Sequence, residues 1–566
     1  MGDASTSAAV LAPRTDPPPV QAGLPSVHPT ASFWQTSHPN PLTHHRSTPD
    51  LPVRADVVVI GTGISGTFAV DQLLGELESS TDLGPAPVDV LVLEARTLCS
   101  AATGRNGGHL QPVVHAAPAS ILEFEMKNFD HISNIVQSSR IPCDFRRLSG
   151  CLGFWNETYF EEAKRDLSLA GAKHAELVRV VEDPEQLRKL RLQGGVKGAI
   201  VQSVAASLSP YKLCVSIWQK MLSRFETQHQ RSVDGETKQV AQAVKVTLNL
   251  QTITPVTSLD TTDNVVDHDG HNRWKLNTPR GSVHARSVIL ATNGYTSHLL
   301  PEFAPLIRPV QAQMSALIPP PVSAPDRDRA RKRRLVPMSY GFEGVGTMDR
   351  VMSDYLVQNP FVSRTASAEQ TNAASNTNDI GEGGHLMFGG GRHLAFNHGE
   401  QCWDDDFVDE NVEKYLRTLP ERLNLVADSD ANTDNDSHSY TDHHHDENDD
   451  LTPQHPTLDI AASWTGIIGH SADGRPWVGP VPDRPGIFLC GGYTGHGMTN
   501  APLCGRYIAR VALEDLRPQH AGQATGPAPG DGSGNIDSQL ELDVDMHVPM
   551  AYLISRERME TLSRRD

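Results

Sequence analysis

The chain is poor in cysteine, in basic charge and in long apolar runs, and each shortage removes a class of protein. Its 566 residues hold only 7 Cys, with no C-x-x-C pair. A disulfide framework or a structural zinc module needs such pairs at defined spacing. No stretch reaches the roughly 18 consecutive apolar residues a spanning helix requires, so no integral membrane segment is expected. Lys and Arg number 49 against 68 Asp and Glu, a net charge of -19, and the one dense basic run, Arg329–Arg334, is short. Nucleic acid is therefore not an expected partner. There is no signal-peptide apolar core and no Arg-rich transit pattern, which points to the cytoplasm. Met1–Thr6 formally fits the N-myristoylation pattern, though Asp3 lends it no support.

The negative charge is uneven. Between Ala427 and Asp450 lie nine acids and no Lys or Arg, about half the net charge. Such a tract reads as a disordered, solvated insertion. His443, His444 and His445 sit inside it beside acids, but adjacent ligands on a loop lack preorganisation, and no metal site is expected. Residues 1–53 are rich in Pro, Ser, Thr and His without periodicity and read as a flexible arm, with Phe33 and Trp34 able to dock on the body. Thr365–Glu382 reads as a second surface insertion. Pro518–Ile536 is a linker to an amphipathic stretch near Tyr552–Leu562, all within a tail at 517–566. No internal repeat is visible.

Order begins at Asp56. Val57-Val58-Val59-Ile60 is a β-branched run suited to a strand buried on both faces. Ile64, Phe68, Ala69, Leu73 and Leu77 then share one helical face, and a second apolar strand, Val88–Leu93, ends in Glu94. Further strands are expected at Val244–Leu250, Trp274–Asn277, Val288–Thr292 and Ile487–Cys490. Helices are expected at Ile121–Ser138, Tyr211–Phe225, Val412–Leu419 and Pro502–Leu516.

Between the first strand and helix stands Gly61-Thr62-Gly63-Ile64-Ser65-Gly66. In that context the three glycines give a tight turn, close backbone approach to a pyrophosphate, and close helix–strand packing. The helix start at Ile64 and Ser65 supplies N–H groups and positive potential. Glu94 accepts from the ribose hydroxyls of an adenosine, and Ala95 and Arg96 continue that edge. A second Gly-rich segment, Thr103-Gly104-Arg105-Asn106-Gly107-Gly108-His109, lets backbone amides crowd a flat or anionic group. Near the other end, strand Ile487–Cys490 runs into Gly491-Gly492-Tyr493-Thr494-Gly495-His496-Gly497-Met498 and a helix, repeating the same logic. Donors placed there stabilise the charge that a flavin gains on reduction. A nicotinamide-dependent dehydrogenase has no evident need of these two extra segments.

Together with Val288–Tyr295, Arg308-Pro309-Val310, Gln313-Met314 and Trp464–Pro476, these blocks resemble the FAD-dependent oxidoreductases of the D-amino-acid oxidase superfamily. The likeness leans towards the glycine/sarcosine oxidase and γ-glutamylputrescine oxidoreductase branch, over about Phe33–Leu516. It implies an α/β fold in which a Rossmann-like FAD-binding domain (54–115, 195–300 and 455–516) interleaves with an α+β substrate domain on a mixed sheet (116–194 and 301–425). It also implies that Val256 packs on the adenine and that Ala291 lines the cofactor. Some relatives attach flavin through a cysteine at the position of Gly466, so the FAD here is expected to be noncovalent.

The activity implied is hydride transfer from the carbon beside an amine nitrogen of an amine or amino acid to flavin N5. The imine formed is then hydrolysed, and oxygen or another acceptor reoxidises the flavin. The protein's share is alignment and anchoring. Arg392 and Arg308 are candidate carboxylate anchors, each equally readable as an interdomain ion pair. His109, His496 and Tyr493 flank the glycine segments and read either as catalytic or as structural hydrogen-bonding groups. Asp354-Tyr355-Leu356 is a candidate roof segment. A non-catalytic flavoprotein of the same fold, serving in assembly or binding, is the alternative.

Overall fold

The computed structural model describes residues 19–80, 87–114, 118–169, 176–233, 246–261, 274–320, 336–346, 354–360, 383–426, 457–516 and 547–564. The two expected insertions, the His443–His445 run, the Met1–Thr6 motif and the Pro518–Ile536 linker lie outside these residues. Among the described residues eight strands form one sheet and nine another, the mixed α/β class expected.

The first sheet is parallel at its centre. Arg54–Ile60 lies between Val88–Leu93 and Gly281–Leu290, with Val246–Gln251 and Ile487–Gly491 outside them. Helices Ile64–Ser79, Pro210–Val233 and Ala501–Leu516 cover one face, and strand Trp274–Thr278 with the segment Leu299–Ile307 covers the other. Val57, Val58 and Val59 are therefore fully buried, which is why a β-branched run with no polar alternation forms the central strand. Helix Ile64–Ser79 packs on helix Ala501–Leu516. A Cβ on Gly505 would stand 2.3 Å from the Ser65 carbonyl oxygen, so these two helices touch through backbone.

The second sheet is mixed. Its strand order is Ile460–Ser471, Ile307–Leu317, Gly383–Gly390, Asp354–Pro360, Met338–Glu343, Arg146–Phe154, Gly198–Ser207 and His109–Leu110, with Val178–Val181 pairing Gly198–Ser207. Three strands therefore fall on the other side of the expected domain boundaries, the short His109–Leu110, which pairs Gly198–Ser207, among them. Gly198–Ser207 pairs Arg146–Phe154, and Ile460–Ser471 pairs Ile307–Leu317 along its whole length. Both precede an element that packs on the first sheet, so the chain crosses between units within a few residues and composition does not mark the crossing.

Residues 19–53, expected within a flexible arm, are laid across the body. Trp34 is 1% exposed and donates its indole N–H to the Asn106 carbonyl at 2.6 Å. Ser32 Oγ donates to the Gly104 carbonyl, and Thr30 lies against Asp405 and Thr465. The segment 547–564 also docks, through Tyr552, Arg558 and Leu562.

One buried ion cluster joins the units. Asp405, fully buried, takes two contacts from Arg96 NH1 at 2.8 and 3.0 Å and lies 3.3 Å from Arg105 Nε. Arg105 also donates to the carbonyls of Ser100, Thr30 and Thr465. Removing the shared carboxylate leaves two guanidiniums buried without it, which costs about 3–5 kcal/mol. Asp405→Ala is thus expected to lower unfolding stability by about that amount in denaturant melts. Asp406→Ala, at an exposed neighbour, is expected to stay within about 0.5 kcal/mol. Equal effects at the two positions would contradict this role.

Candidate cofactor site

The parallel sheet delivers its carboxyl ends to one crevice, where ligands of open α/β sheets bind. Strand Arg54–Ile60 turns at Gly61, whose φ is +107° and whose added Cβ would stand 2.8 Å from the Ala291 carbonyl oxygen. A Cβ on Gly66 would stand 2.0 Å from the Gly61 carbonyl oxygen. Both positions are closed to any side chain. Gly63 opens the helix, and Thr103 Oγ1 accepts the Ile64 N–H at 3.0 Å. Ser65 and Gly66 follow in the first turn, where N–H groups have no intrahelical acceptor.

Glu94 is held from three sides. Its Oε2 accepts from Thr62 N at 2.9 Å and Thr62 Oγ1 at 2.6 Å, and its Oε1 accepts from Arg96 N at 3.0 Å. A carboxylate offers about four lone-pair positions, and with three taken one position on Oε1 remains to accept from a ribose diol. Val256 is buried in one cluster with Ile60, Leu91 and Leu93, beside this edge. Ala95 precedes Arg96, whose backbone carbonyl accepts from Ile253 N and whose guanidinium serves Asp405.

The second glycine segment differs from expectation in one respect. The N–H groups of Gly104, Arg105, Asn106, Gly107 and Gly108 already have acceptors: the carbonyls of Ala101 and Ala102, the Tyr355 hydroxyl at 2.7 Å, and Asn106 Oδ1 at 2.8 Å. The loop offers a flat, fixed surface rather than free amides. Arg105 runs beneath Gly466, so its side chain is structural.

In the third segment, Gly492 N donates to Asn293 Oδ1 at 3.0 Å and Thr494 N to the Gly469 carbonyl at 2.9 Å. Tyr493 is turned into the core, where its hydroxyl meets Ser65 Oγ at 2.8 Å, a structural contact. Gly495 and His496 are exposed, and Gly497 and Met498 begin the turn into the last long helix. Asn293, Thr62 and Asp405 shape the site and escaped the sequence reading. Asn293, at φ +46° and separated by two residues from the strand Gly281–Leu290, has a signal in its Asn-Gly pair; Asp405 sits inside Asp404-Asp405-Asp406, where nothing in the sequence sets it apart from its neighbours.

Above the crevice stands one face of the second sheet. Arg308 pairs with His470, Val310 with Ile468, Ala312 with Gly466 and Met314 with Trp464, and alternation puts these on one side. His470 is half-buried, and its pKa falls from 6.5 to about 3, through desolvation first and then Arg392, Arg308 and His496. His109 falls to about 4 through burial, with His496 adding to the effect. Its Nε2 lies 2.9 Å from Ser339 Oγ, and its ring stacks on Tyr355 at 5.8 Å. Both imidazoles are neutral at neutral pH.

Arg392 is brought to this corner, with NH1 3.4 Å from His470 Nε2, and is paired there with Glu400 at 2.9 Å. Asp354 faces away, accepting from Gly391 N at 2.7 Å and Tyr415 at 2.5 Å, and burial raises its pKa to about 6. It fixes the turn that presents Arg392. Tyr355, next along, accepts from Gly107 N at 2.7 Å and stacks on His109. Among the described residues no group of His, Cys, Asp and Glu is arranged to hold a metal ion, and no helix is long and apolar enough to cross a membrane.

The backbone cradle at Gly61–Gly66 and the diol-ready Glu94 fit an adenine dinucleotide. Gly66→Ala would force helix and strand apart, so the purified variant is expected to carry no flavin absorbance after FAD reconstitution. Full retention of FAD would show that the cofactor binds elsewhere.

Comparison with known proteins agrees with this geometry. The family model described as DAO, FAD dependent oxidoreductase, matches residues 56–511. A glycine oxidase of Geobacillus kaustophilus (strain HTA426) is 36% identical over 59 residues, 10% of this chain and 16% of that protein. A probable oxidoreductase, OrdL, of Rhizobium meliloti (strain 1021) is 27% identical over 135 residues, 23% of this chain and 31% of that protein. Each of these alignments spans less than a third of the relative's length. The crystal structure of glycine oxidase from Geobacillus kaustophilus superposes with a TM-score of 0.52 at 15% identity, covering 82% of this chain and 95% of that one. Iminodiacetate oxidase from Chelativorans sp. BNC1 gives 0.51 at 14% identity, covering 81% and 95%. At such identities the structural likeness is one of fold. With the family model spanning most of its length, the chain belongs to the DAO family of FAD-dependent oxidoreductases.

Proposed function

We propose that this oxidoreductase acts on the carbon–nitrogen bond of an amine that also bears a carboxylate, with FAD held without a covalent bond. The bound flavin supplies the hydride-accepting chemistry. The observation that carries the reading is the corner around His470. The charged or titratable groups that shift it are Arg392, Arg308 and His496, and Glu400 offsets one guanidinium. Two guanidiniums beside a neutral imidazole favour a carboxylate and, by repelling positive charge, disfavour the ammonium form of the substrate amine. Similar folds belonging to oxidases of glycine and iminodiacetate, both amino carboxylates by name, support the same class.

The chain's own groups divide the work as follows. The Gly61–Gly66 turn and Glu94 bind the adenosine side. The Thr103–Gly108 surface and the Gly495–Met498 turn bracket the ring end. Arg308 and Arg392 orient the substrate, and their positive charge favours release of the ammonium proton to solvent, while His470 and His109 stay neutral. A Cβ at Gly466 would lie 3.1 Å from the Arg105 Cβ, and Cys490 and Cys504 are fully buried, which supports noncovalent attachment.

Anaerobic titration of the yellow holoprotein with a panel of amines and amino acids tests the reading. Amino carboxylates are expected to bleach the flavin, and repeating the assay in air identifies whether oxygen is the acceptor. Arg308→Ala and Arg392→Gln are each expected to raise KM roughly 10- to 100-fold, the loss of a charge-assisted hydrogen bond. Bleaching by amines without a carboxylate, and by nothing else, would overturn the carboxylate assignment.

The depressed imidazoles also set a pH dependence. Between the ordinary His value of 6.5 and the folded values of about 4 and 3, the unfolded chain binds protons that the folded chain refuses. Stability therefore rises with pH across that window. Thermal unfolding is expected at a lower midpoint near pH 5 than near pH 7.5, with the gap narrowed in His470→Gln. An unchanged gap in that variant would contradict the assignment of a neutral His470.

A further inference from the structure

The segment 547–564 lies far along the chain from the glycine motifs, yet it closes the edge of the cofactor-binding sheet. Ile554 N donates to the Val478 carbonyl at 3.1 Å, and Leu553 bridges Val478 in parallel, so the segment continues the sheet beside Trp477–Pro480. Arg558 fastens it. Its Nε and NH2 each reach an Asp473 oxygen at 3.0 Å, its guanidinium lies 3.8 Å over the Trp477 ring, and NH1 donates to the carbonyls of Pro476 and Tyr552. A fork-shaped pair stacked on an indole fixes orientation as well as position.

The fastening brings Tyr552 to the turn at the ring end of the cofactor crevice. Tyr552 is 2% exposed, edge-on to Phe124, and its hydroxyl donates to Asn500 Oδ1 at 2.9 Å. Asn500, 1% exposed, donates through Nδ2 to Glu125 Oε1 at 2.9 Å and to the His496 carbonyl at 2.9 Å. Glu125 is itself buried and accepts from Val113 N at 2.7 Å. A primary amide has one accepting end and one donating end. The Tyr552 hydroxyl occupies the accepting end, so the donating end must face Glu125 and His496. Without that hydroxyl, Oδ1 is buried without a donor, and the amide that grips His496 is held only through its Nδ2 contacts to Glu125, His496 and Thr499.

The structure assigns Tyr552 the role of a positioning residue: through Asn500 it holds the His496–Met498 turn against the ring end of the flavin. This rests on the reading that this turn faces the isoalloxazine. The 547–564 segment is then part of the cofactor site although it carries no glycine motif. The hydroxyl contributes by orienting one amide, while the aromatic ring and Arg558 contribute by docking the segment.

Tyr552→Phe in the full-length holoprotein separates these contributions, because the phenyl ring keeps its packing on Phe124 and only the O–H is lost. The FAD dissociation constant is expected to rise roughly 5- to 10-fold, and the visible flavin spectrum to shift. Thermal melting and limited proteolysis are expected to show a segment that stays docked. Arg558→Gln loosens the docking by a route that leaves the hydroxyl intact, and Tyr552→Phe in the Asn500→Leu background is expected to add little to the loss of affinity. His496→Ala serves as the control for the underlying reading, since it moves the flavin spectrum only if the turn faces the ring. With that control positive, an unchanged FAD affinity and spectrum in Tyr552→Phe would overturn the positioning role alone. With the control silent, the placement of the turn itself falls.

Discussion

A carboxylate shared by two arginines governs the arrangement of this protein. Asp405 lies where the arm at Thr30, the Gly-rich loop at Ser100–Arg105, and the strand at Thr465 converge. Burying three charges is expensive, and the attraction among them roughly offsets that cost rather than adding a surplus. Its value lies in geometry. Arg105 remains charged even though burial lowers its pKa to about 10, and a planar guanidinium with donors spent on fixed carbonyls allows very few placements of the loop. The cofactor surface is flat because Arg105 cannot leave.

The same logic explains why the Gly-rich loop offers no free amides. A loop whose N–H groups point at an absent anion would, in the empty protein, be short of partners. Here each amide from Gly104 to Gly108 is satisfied internally, two of them by side chains, Tyr355 and Asn106. The surface is formed before any ligand arrives, so binding does not have to order it. The positive end of the crevice is supplied instead by the helix start at Ile64–Gly66 and by the turn at His496–Met498.

Local pattern made the parallel sheet legible. Val57–Ile60, Val88–Leu93 and Ile487–Cys490 read as buried strands because apolar runs without alternation have few other uses, and Gly61–Gly66 read as a dinucleotide turn because strand and helix bracket it. Trp34 was marked as able to dock, yet its segment was taken for a flexible arm, since Pro- and Ser-rich composition does not reveal a carbonyl waiting 2.6 Å from an indole. The pairing of Gly198–Ser207 and Ile460–Ser471 with the second sheet is not legible in the sequence, because strand pairing is non-local and alternation looks the same in either sheet. Asp405 and Asn500 were invisible for a related reason. A buried polar residue is recognised by its partners, and Asp405 meets Arg96 and Arg105 across 300 or more residues of chain, as Asn500 meets Glu125 across 375.

Arg392 shows how far a residue type alone can carry a functional reading. The sequence offered a lone arginine after three glycines as an anchor; the structure places it beside His470 but ties it to Glu400. An arginine held by a carboxylate is preoriented yet partly neutralised, so in the proposed reading a substrate carboxylate shares the guanidinium or draws on Arg308 as well. The turn that presents it is fixed in the same way: Gly391, at φ +70°, donates its N–H to the buried Asp354, and that carboxylate is held in turn by Tyr415. Specificity at this corner is then a property of Arg308, Arg392, Glu400 and His470 together, and replacing any one of them changes the charge that the other three present to the substrate.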